Sequence, residues 1–133
     1  MQTKFENAAR SGYDVASELA DMINFELISL ARKKYSLRRR RANILPDVSD
    51  LFHDPAWDIL LDLFIAAETN AEISVSSACI ASGVPSTTAL RAIGVMERRG
   101  VLKGGSDPFD ARRRFVSLSD SMREQMRTLL TLW

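Results

Sequence analysis

ISVSSACIASGVPSTTALRAIGVMERRGVLKGGSDPFDARRRFVSL (residues 73–118) decides how this chain folds. Ser74 or Ser76 offers an N-cap oxygen to a short helix whose buried side comprises Ala78, Ile80 and Ala81. Gly83 ends that helix, because glycine enters the left-handed backbone region that a tight interhelical turn demands. Pro85 lacks an amide hydrogen that a helix start leaves unpaired anyway, and Ser86, Thr87 or Thr88 can cap the second helix. This second helix runs to about Arg99 and stops at Gly100, with Ala89, Ala92, Ile93 and Met96 facing the core at helical spacing. Val101-Leu102 and Phe115-Val116-Ser117-Leu118 are β-prone runs bracketing a turn-rich loop, which predicts a hairpin with basic residues at its tip and far arm.

Two segments, GVPSTTALRAIGVMERRGVL and DPFDARRRFVSLS, resemble the winged helix-turn-helix of MarR-type bacterial transcriptional regulators. The similarity covers residues 51–133. It implies a sequence-specific, double-stranded-DNA-binding homodimer, with one helix (residues 85–99) in the major groove and a wing (residues 103–114) at the minor groove. By position, Arg112 matches the wing-tip arginine and Asp110 the acidic residue that steadies the wing. The long C-terminal dimerisation helices of that family have little room before residue 133, so dimerisation is expected mainly from elsewhere. The expected fold class is mainly α with a small β-hairpin wing, a winged helix-turn-helix plus a long N-terminal helix. Residues 1–45 form the N-terminal dimerisation helix and residues 50–133 the DNA-binding domain.

The candidate contacts follow from chemistry. Small hydroxyl residues and an arginine at the front of a second helix suit base edges and phosphates, so Thr87, Thr88 and Arg91 are assigned to the major groove and Ser86 to phosphate. Arg112 is assigned to the minor groove, where narrow A·T-rich segments attract arginine. Arg113 and Arg114 alternate sides, so one faces DNA while the other pairs with Asp107 or Asp110. The alternative function is a winged-helix protein-interaction module without DNA binding.

Length and composition agree with a globular domain. The chain has 133 residues, 46% hydrophobic and 26% charged, with a formal net charge of +1. That small charge hides a segregation. Residues 1–41 and residues 91–133 each hold nine basic and five acidic groups, whereas residues 42–90 hold seven carboxylates and no lysine or arginine. No apolar run is long enough to span a membrane and the N-terminus is polar, so the expected compartment is the cytosol. One histidine, His53, and one cysteine, Cys79, are too few for a usual zinc site or a ready nucleophilic pair. Cys79 is expected to be a buried structural thiol. No acid–base machinery assembles, no phosphate-binding glycine loop exists, and the chain is expected to be neither an enzyme nor a cofactor or metal carrier.

Before the winged segment, residues 1–11 read as a polar, frayed terminus and residues 12–41 as one helix. Ala16, Leu19, Ile23, Leu27, Leu30 and Leu37 recur at spacings of three and four, broadened by Val15, Met22, Phe25 and Ile28. So apolar a helix needs a partner, either a second copy or the winged domain of its own chain. Arg38-Arg39-Arg40-Arg41 has two readings: a track along DNA phosphates, or the solvated, cation-favouring end of a helix.

Pro46 and Asp47 break that helix into a linker, which Leu51-Phe52 anchors, and Asp54-Pro55 starts the next one. Trp57, Leu60, Leu61 and Phe64 form its core stripe, while Asp54, Asp58 and Asp62 read as a solvated acidic stripe. The family resemblance also allows a small-molecule effector between the long helix and the winged domain, near Phe52, Trp57 and Phe64. Core packing explains those aromatics with fewer assumptions. Ser119 or Asp120 caps a last helix with Met122, Met126, Leu129, Leu130 and Trp133 on its apolar side and Arg123, Glu124 and Arg127 in water.

Overall fold

The computed structural model describes residues 2–51 and 53–132, with side chains from residue 14 onward. Phe52 and Trp133, assigned above to an anchor and an apolar stripe, lie outside the described residues. The chain forms α1 (Gln2–Ile44), a 3-10 turn (Pro46–Leu51), α2 (Pro55–Glu68), β1 (Ile73–Ser74), α3 (Val75–Ser82), α4 (Ser86–Arg98), β2 (Leu102–Ser106), β3 (Arg114–Leu118) and α5 (Asp120–Thr131). The mainly helical class with a hairpin wing is therefore observed. No helix among the described residues is long and apolar enough to cross a membrane.

Helix α2 is the hub, touching α1, α3, α4, α5 and β3. Asp54 starts it by accepting from the Trp57 amide at 3.1 Å, one residue ahead of Pro55. Ile59, Leu61, Leu63 and Phe64 are then almost completely enclosed. Burial on so many sides marks a helix surrounded by protein rather than one with a wet face. The same core takes Ala78 and Cys79 from α3, Ala89, Ile93 and Met96 from α4, Leu102, Val116 and Leu118 from the sheet, and Met126 and Leu130 from α5.

The helix-turn-helix forms largely where its residues require. Ser74 Oγ accepts from the Ser77 amide at 3.2 Å, Gly83 sits at φ 70° as the C-cap of α3, and Gly100 at φ 73° comes just after α4. Two details differ from the sequence-based expectation. Ile80 points outward and is 81% exposed, because the buried side of α3 runs through Ala78, Cys79, Ala81 and Ser82. Pro85 itself occupies the N-cap position of α4, and no side chain caps that end.

The wing hairpin gains a third strand that the sequence pattern does not reveal. Ile73 and Ser74 pair with Val116 and Phe115, placing β3 between β1 and β2 in an antiparallel sheet. Two residues are too few to show the period-two alternation by which strands are recognised.

Helix α1 departs most from expectation. It starts at Gln2, so residues 2–11 continue the helix instead of forming a frayed tail. Its own-chain contact is narrow: Leu27 and Ala31 are buried and Leu30 and Tyr35 partly so, while Val15, Leu19, Met22, Ile23, Phe25 and Leu37 remain exposed.

Charged residues then fasten the helices together. Asp58, expected in water, is buried and accepts from Arg38 Nε and, at 3.1 Å, from Arg39 Nη2. Arg39 also donates to the Ala81 carbonyl, which receives the Tyr35 hydroxyl at 2.9 Å, and its guanidinium lies 5.1 Å from the centre of the Tyr35 ring. Burial pushes the Tyr35 pKa up, against the opposing pull of Arg39, which keeps the hydroxyl a donor. A second knot replaces the expected wet face of α5: Arg127 reaches Glu68 at 2.5 Å and Asn24 at 2.6 Å, and Arg123 reaches Glu68 at 3.4 Å. The cationic run on α1 is thus neither a phosphate track along its whole length nor simply a solvated helix end. Two of its four arginines are tied to Asp58.

Candidate nucleic-acid interface

The front of α4 is set directly by its cap. With Pro85 at the N-cap, the Pro85 carbonyl accepts the Ala89 amide at 3.0 Å, and the amides of Ser86, Thr87 and Thr88 precede the first intrahelical bond. Such a helix end concentrates unpaired N–H groups and the positive end of the helix dipole, a fitting receptor for phosphate. Ser86, Thr87 and Thr88 are all exposed around it, as are Leu90 and Arg91 one turn on. The buried Ala89, Ile93 and Met96 hold the opposite face of α4 against the core, so the hydroxyl-rich face is directed outward.

The wing loop is ordered by its two aspartates. Asp107 Oδ1 accepts from the Phe109 amide at 2.8 Å, and Asp110 Oδ1 accepts from the Arg112 amide at 3.0 Å. Each is an Asx turn, in which a carboxylate accepts from the amide two residues on, as a backbone carbonyl does in a β-turn. Backbone bonds from Arg113 to Asp110 (3.0 Å) and from Asp107 to Arg113 (3.1 Å) close the loop. Asp110 therefore does steady the backbone at Arg112, as its position in the motif implies.

The three arginines have separate surroundings. Arg112 is exposed and forms no ion pair among the described residues. Arg113 lies with its guanidinium 5.2 Å from the centre of the Phe115 ring. Arg114 pairs with Glu97 of α4 at 3.4 Å, not with Asp107 or Asp110, whose oxygens serve backbone amides. Arg112, Arg113, Arg114 and Asp110 line an open groove of about 480 Å³ whose other wall is Ser74, Val75 and Ser76. The wing arginines are thereby gathered beside the start of α3.

Two other candidates resolve differently. Cys79 is buried, and burial raises its thiol pKa, so it is a poor nucleophile in the folded chain. The crevice between α1 and α2 is a groove of about 210 Å³ lined by Lys34, Leu37, Arg38, Arg41 and Trp57. It is smaller than the ~300–1,000 Å³ common for drug-sized ligands, and Phe64 lies in the core instead of lining it. No group of three or more His, Cys, Asp or Glu side chains able to hold a metal comes together among the described residues.

Two features stand outside the sequence-based expectation: Phe109 at the wing tip and the Tyr35–Arg39 contact with α3. The exposed phenyl ring is legible as an apolar residue in a turn of Asp and Pro. The contact across α1, α2 and α3 has no local signal.

No family model matches the sequence, and no curated protein is significantly similar to it. Solved structures are similar in fold. S. aureus MepR in a DNA-binding conformation superposes with a TM-score of 0.53 at 16% identity, covering 87% of this chain and 74% of that one. The heme sensor protein PefR of Streptococcus agalactiae, in complex with heme, gives 0.51 at 16% identity over 96% and 73%. This chain shares the winged-helix fold of those two proteins.

Proposed function

We propose that the protein is a sequence-specific, double-stranded-DNA-binding transcriptional regulator. One observation carries this reading: a helix end without a side-chain cap, ringed by exposed Ser86, Thr87, Thr88 and Arg91, on the same winged unit as the exposed Arg112 of an ordered loop. Thr87, Thr88 and Arg91 read base edges in the major groove, while Ser86 and the free amides at the helix front take phosphate. Arg112 enters the minor groove. Arg113 supports it from the Phe115 ring, and Arg114 has a weaker part because Glu97 already neutralises it.

Titrating a mixed-sequence duplex by fluorescence anisotropy at several salt concentrations tests this. Binding in the ~1–100 μM range that falls steeply with salt is the expected result. Arg112→Ala weakens it and reduces the log–log salt slope by about one, as expected for a lost nucleic-acid contact by a cation. Unchanged affinity and slope in that variant remove Arg112 from the interface. No binding by the unaltered chain, even at low salt, points instead to a protein-interaction module.

The same reading makes residues 1–45 a dimerisation element and residues 50–133 the DNA-binding domain. Val15, Leu19, Met22, Ile23 and Phe25 expose an apolar surface along α1, and Leu129 and Leu132 expose another on α5. A surface of this kind on a regulator with one reading head per chain suits a second copy, whose twofold axis would match a palindromic site. Replacing Leu19 and Ile23 together by glutamate is expected to reduce the solution mass from two chains to one, measured by light scattering. An unaltered mass would place the dimer contact elsewhere.

A further inference from the structure

Phe109 is 96% exposed, the most exposed of the large apolar side chains among the described residues. Its loop has no need of it. Asp107, Pro108 and Asp110 supply the turn chemistry, and Asp107 holds the Phe109 amide while the ring packs on no core. A phenyl ring carries a large apolar surface whose burial is strongly favourable, so leaving it in water at the end of a polar hairpin forgoes that gain until something covers it.

The surroundings indicate what covers it. Arg112, without an ion pair among the described residues, stands three residues on, with Arg113 behind it. The carboxylates of Asp107 and Asp110 are turned to backbone amides, which offsets the repulsion that they would present to a polyanion. The ring's amide is fixed by its Asx turn and Pro108 restricts the backbone just before it, so the tip is pre-ordered. An exposed apolar side chain on an ordered turn, three residues from an arginine unpaired among the described residues, matches how minor-groove proteins part a base step: the cation holds the groove and the apolar group replaces lost stacking.

We propose that Phe109 is a wedge that enters the minor groove beside Arg112 and partly unstacks a base step, bending the duplex at each wing. This rests on the DNA-binding reading above and adds a deformation to it. Flexible pyrimidine–purine steps are the favoured sites, because they unstack at least cost. The chain would then select sequence at positions where it makes no hydrogen bond to a base.

The test uses the full chain and a set of duplexes carrying 2-aminopurine at successive steps, with dyes at both ends to report bending by energy transfer. The unaltered protein is expected to brighten 2-aminopurine at the steps under the wings and to shorten the end-to-end distance. Phe109→Ala is expected to lose both signals and to weaken binding by about tenfold to a hundredfold while keeping the salt slope, since no phosphate contact is removed. Phe109→Leu, still apolar, is expected to retain part of the bend. Arg112→Ala does the reverse, lowering the slope.

A Phe109→Ala chain that binds and bends DNA like the unaltered one overturns the wedge while leaving the DNA-binding reading intact. No DNA binding by the unaltered chain overturns both. A change in solution mass with DNA binding and bending preserved would assign Phe109 to contact between copies of the chain, and so would also overturn the wedge.

Discussion

Asp58→Ala is expected to destabilise the fold by about 3 kcal/mol or more, as breaking a buried ion pair from one side generally does. The Asp58 side chain is almost fully enclosed and serves both Arg38 and Arg39. Without it, two guanidinium groups remain in a half-buried site with no counter-charge. Arg38 and Arg39 keep partial access to water, so they can rehydrate in part, whereas Asp58 cannot. The effect should therefore be unequal. Asp58→Ala lowers the urea midpoint by roughly 1 M or more, given m-values of ~1–3 kcal/mol/M for small proteins, and Arg38→Ala lowers it less. Equal midpoints for Asp58→Ala and the unaltered chain would show that the buried carboxylate is not what fastens α1 to α2.

Gly83→Ala is expected to be nearly as damaging, by two separable routes. At φ 70°, a side chain costs about 1–2 kcal/mol on local steric grounds. A β-carbon there would also stand 1.7 Å from Arg39 Nη1, forcing the guanidinium out of its place between Asp58 and the Ala81 carbonyl. A double-mutant cycle separates the two. In an Arg39→Ala background, Gly83→Ala should cost only the backbone part, about 1–2 kcal/mol. In the unaltered background it should cost measurably more. The same cost in both backgrounds would mean that the collision is relieved by a free swing of Arg39 and that its contacts stabilise little.

These sites also show where sequence reading works and where it stops. Ser74, Gly83, Gly100, Asp54 and Ser119 are legible because a cap or a left-handed turn is decided within a few residues. The helical spacing of Ala89, Ile93 and Met96 likewise specifies a buried face locally, and that face is buried. The buried Cys79 follows from the same pattern. Ile80 does not, because the apolar pair Ile80-Ala81 straddles the edge of the buried arc on a helix of only eight residues.

Ion pairing is the larger gap. Asp58 lies 20 residues from Arg38, and Glu68 lies 59 from Arg127. A stripe of aspartates looks the same in sequence whether solvent or an arginine lies opposite. The choice is made only when helices pack. Arg114 illustrates this on a small scale: nearby Asp107 and Asp110 look like natural partners, but their oxygens are needed by the loop's own amides, which leaves Glu97 across the sheet edge. The proposed DNA-contacting residues are legible as exposed polar chemistry at one helix end and one hairpin tip. The structure holds Ser86, Thr87, Thr88, Arg91 and Arg112 outward, which is the geometry the proposed contacts require.

The fastening of α1 has a mechanical meaning. At 1.5 Å per residue its 43 residues extend about 65 Å, yet among the described side chains, from residue 14 onward, the contacts that hold it begin at Asn24 and run through Leu27, Ala31, Tyr35, Arg38 and Arg39. The helix is a lever pivoted on the winged unit, its N-terminal half running on beyond the contacts of the described side chains. A tilt of ~5° at the pivot moves a point 22 residues further out by roughly 3 Å. In the proposed dimer, where two such arms grip each other, this gearing works in both directions. A small tilt at the pivot becomes a displacement of a few ångströms at the arm ends, and holding the arms together limits that tilt.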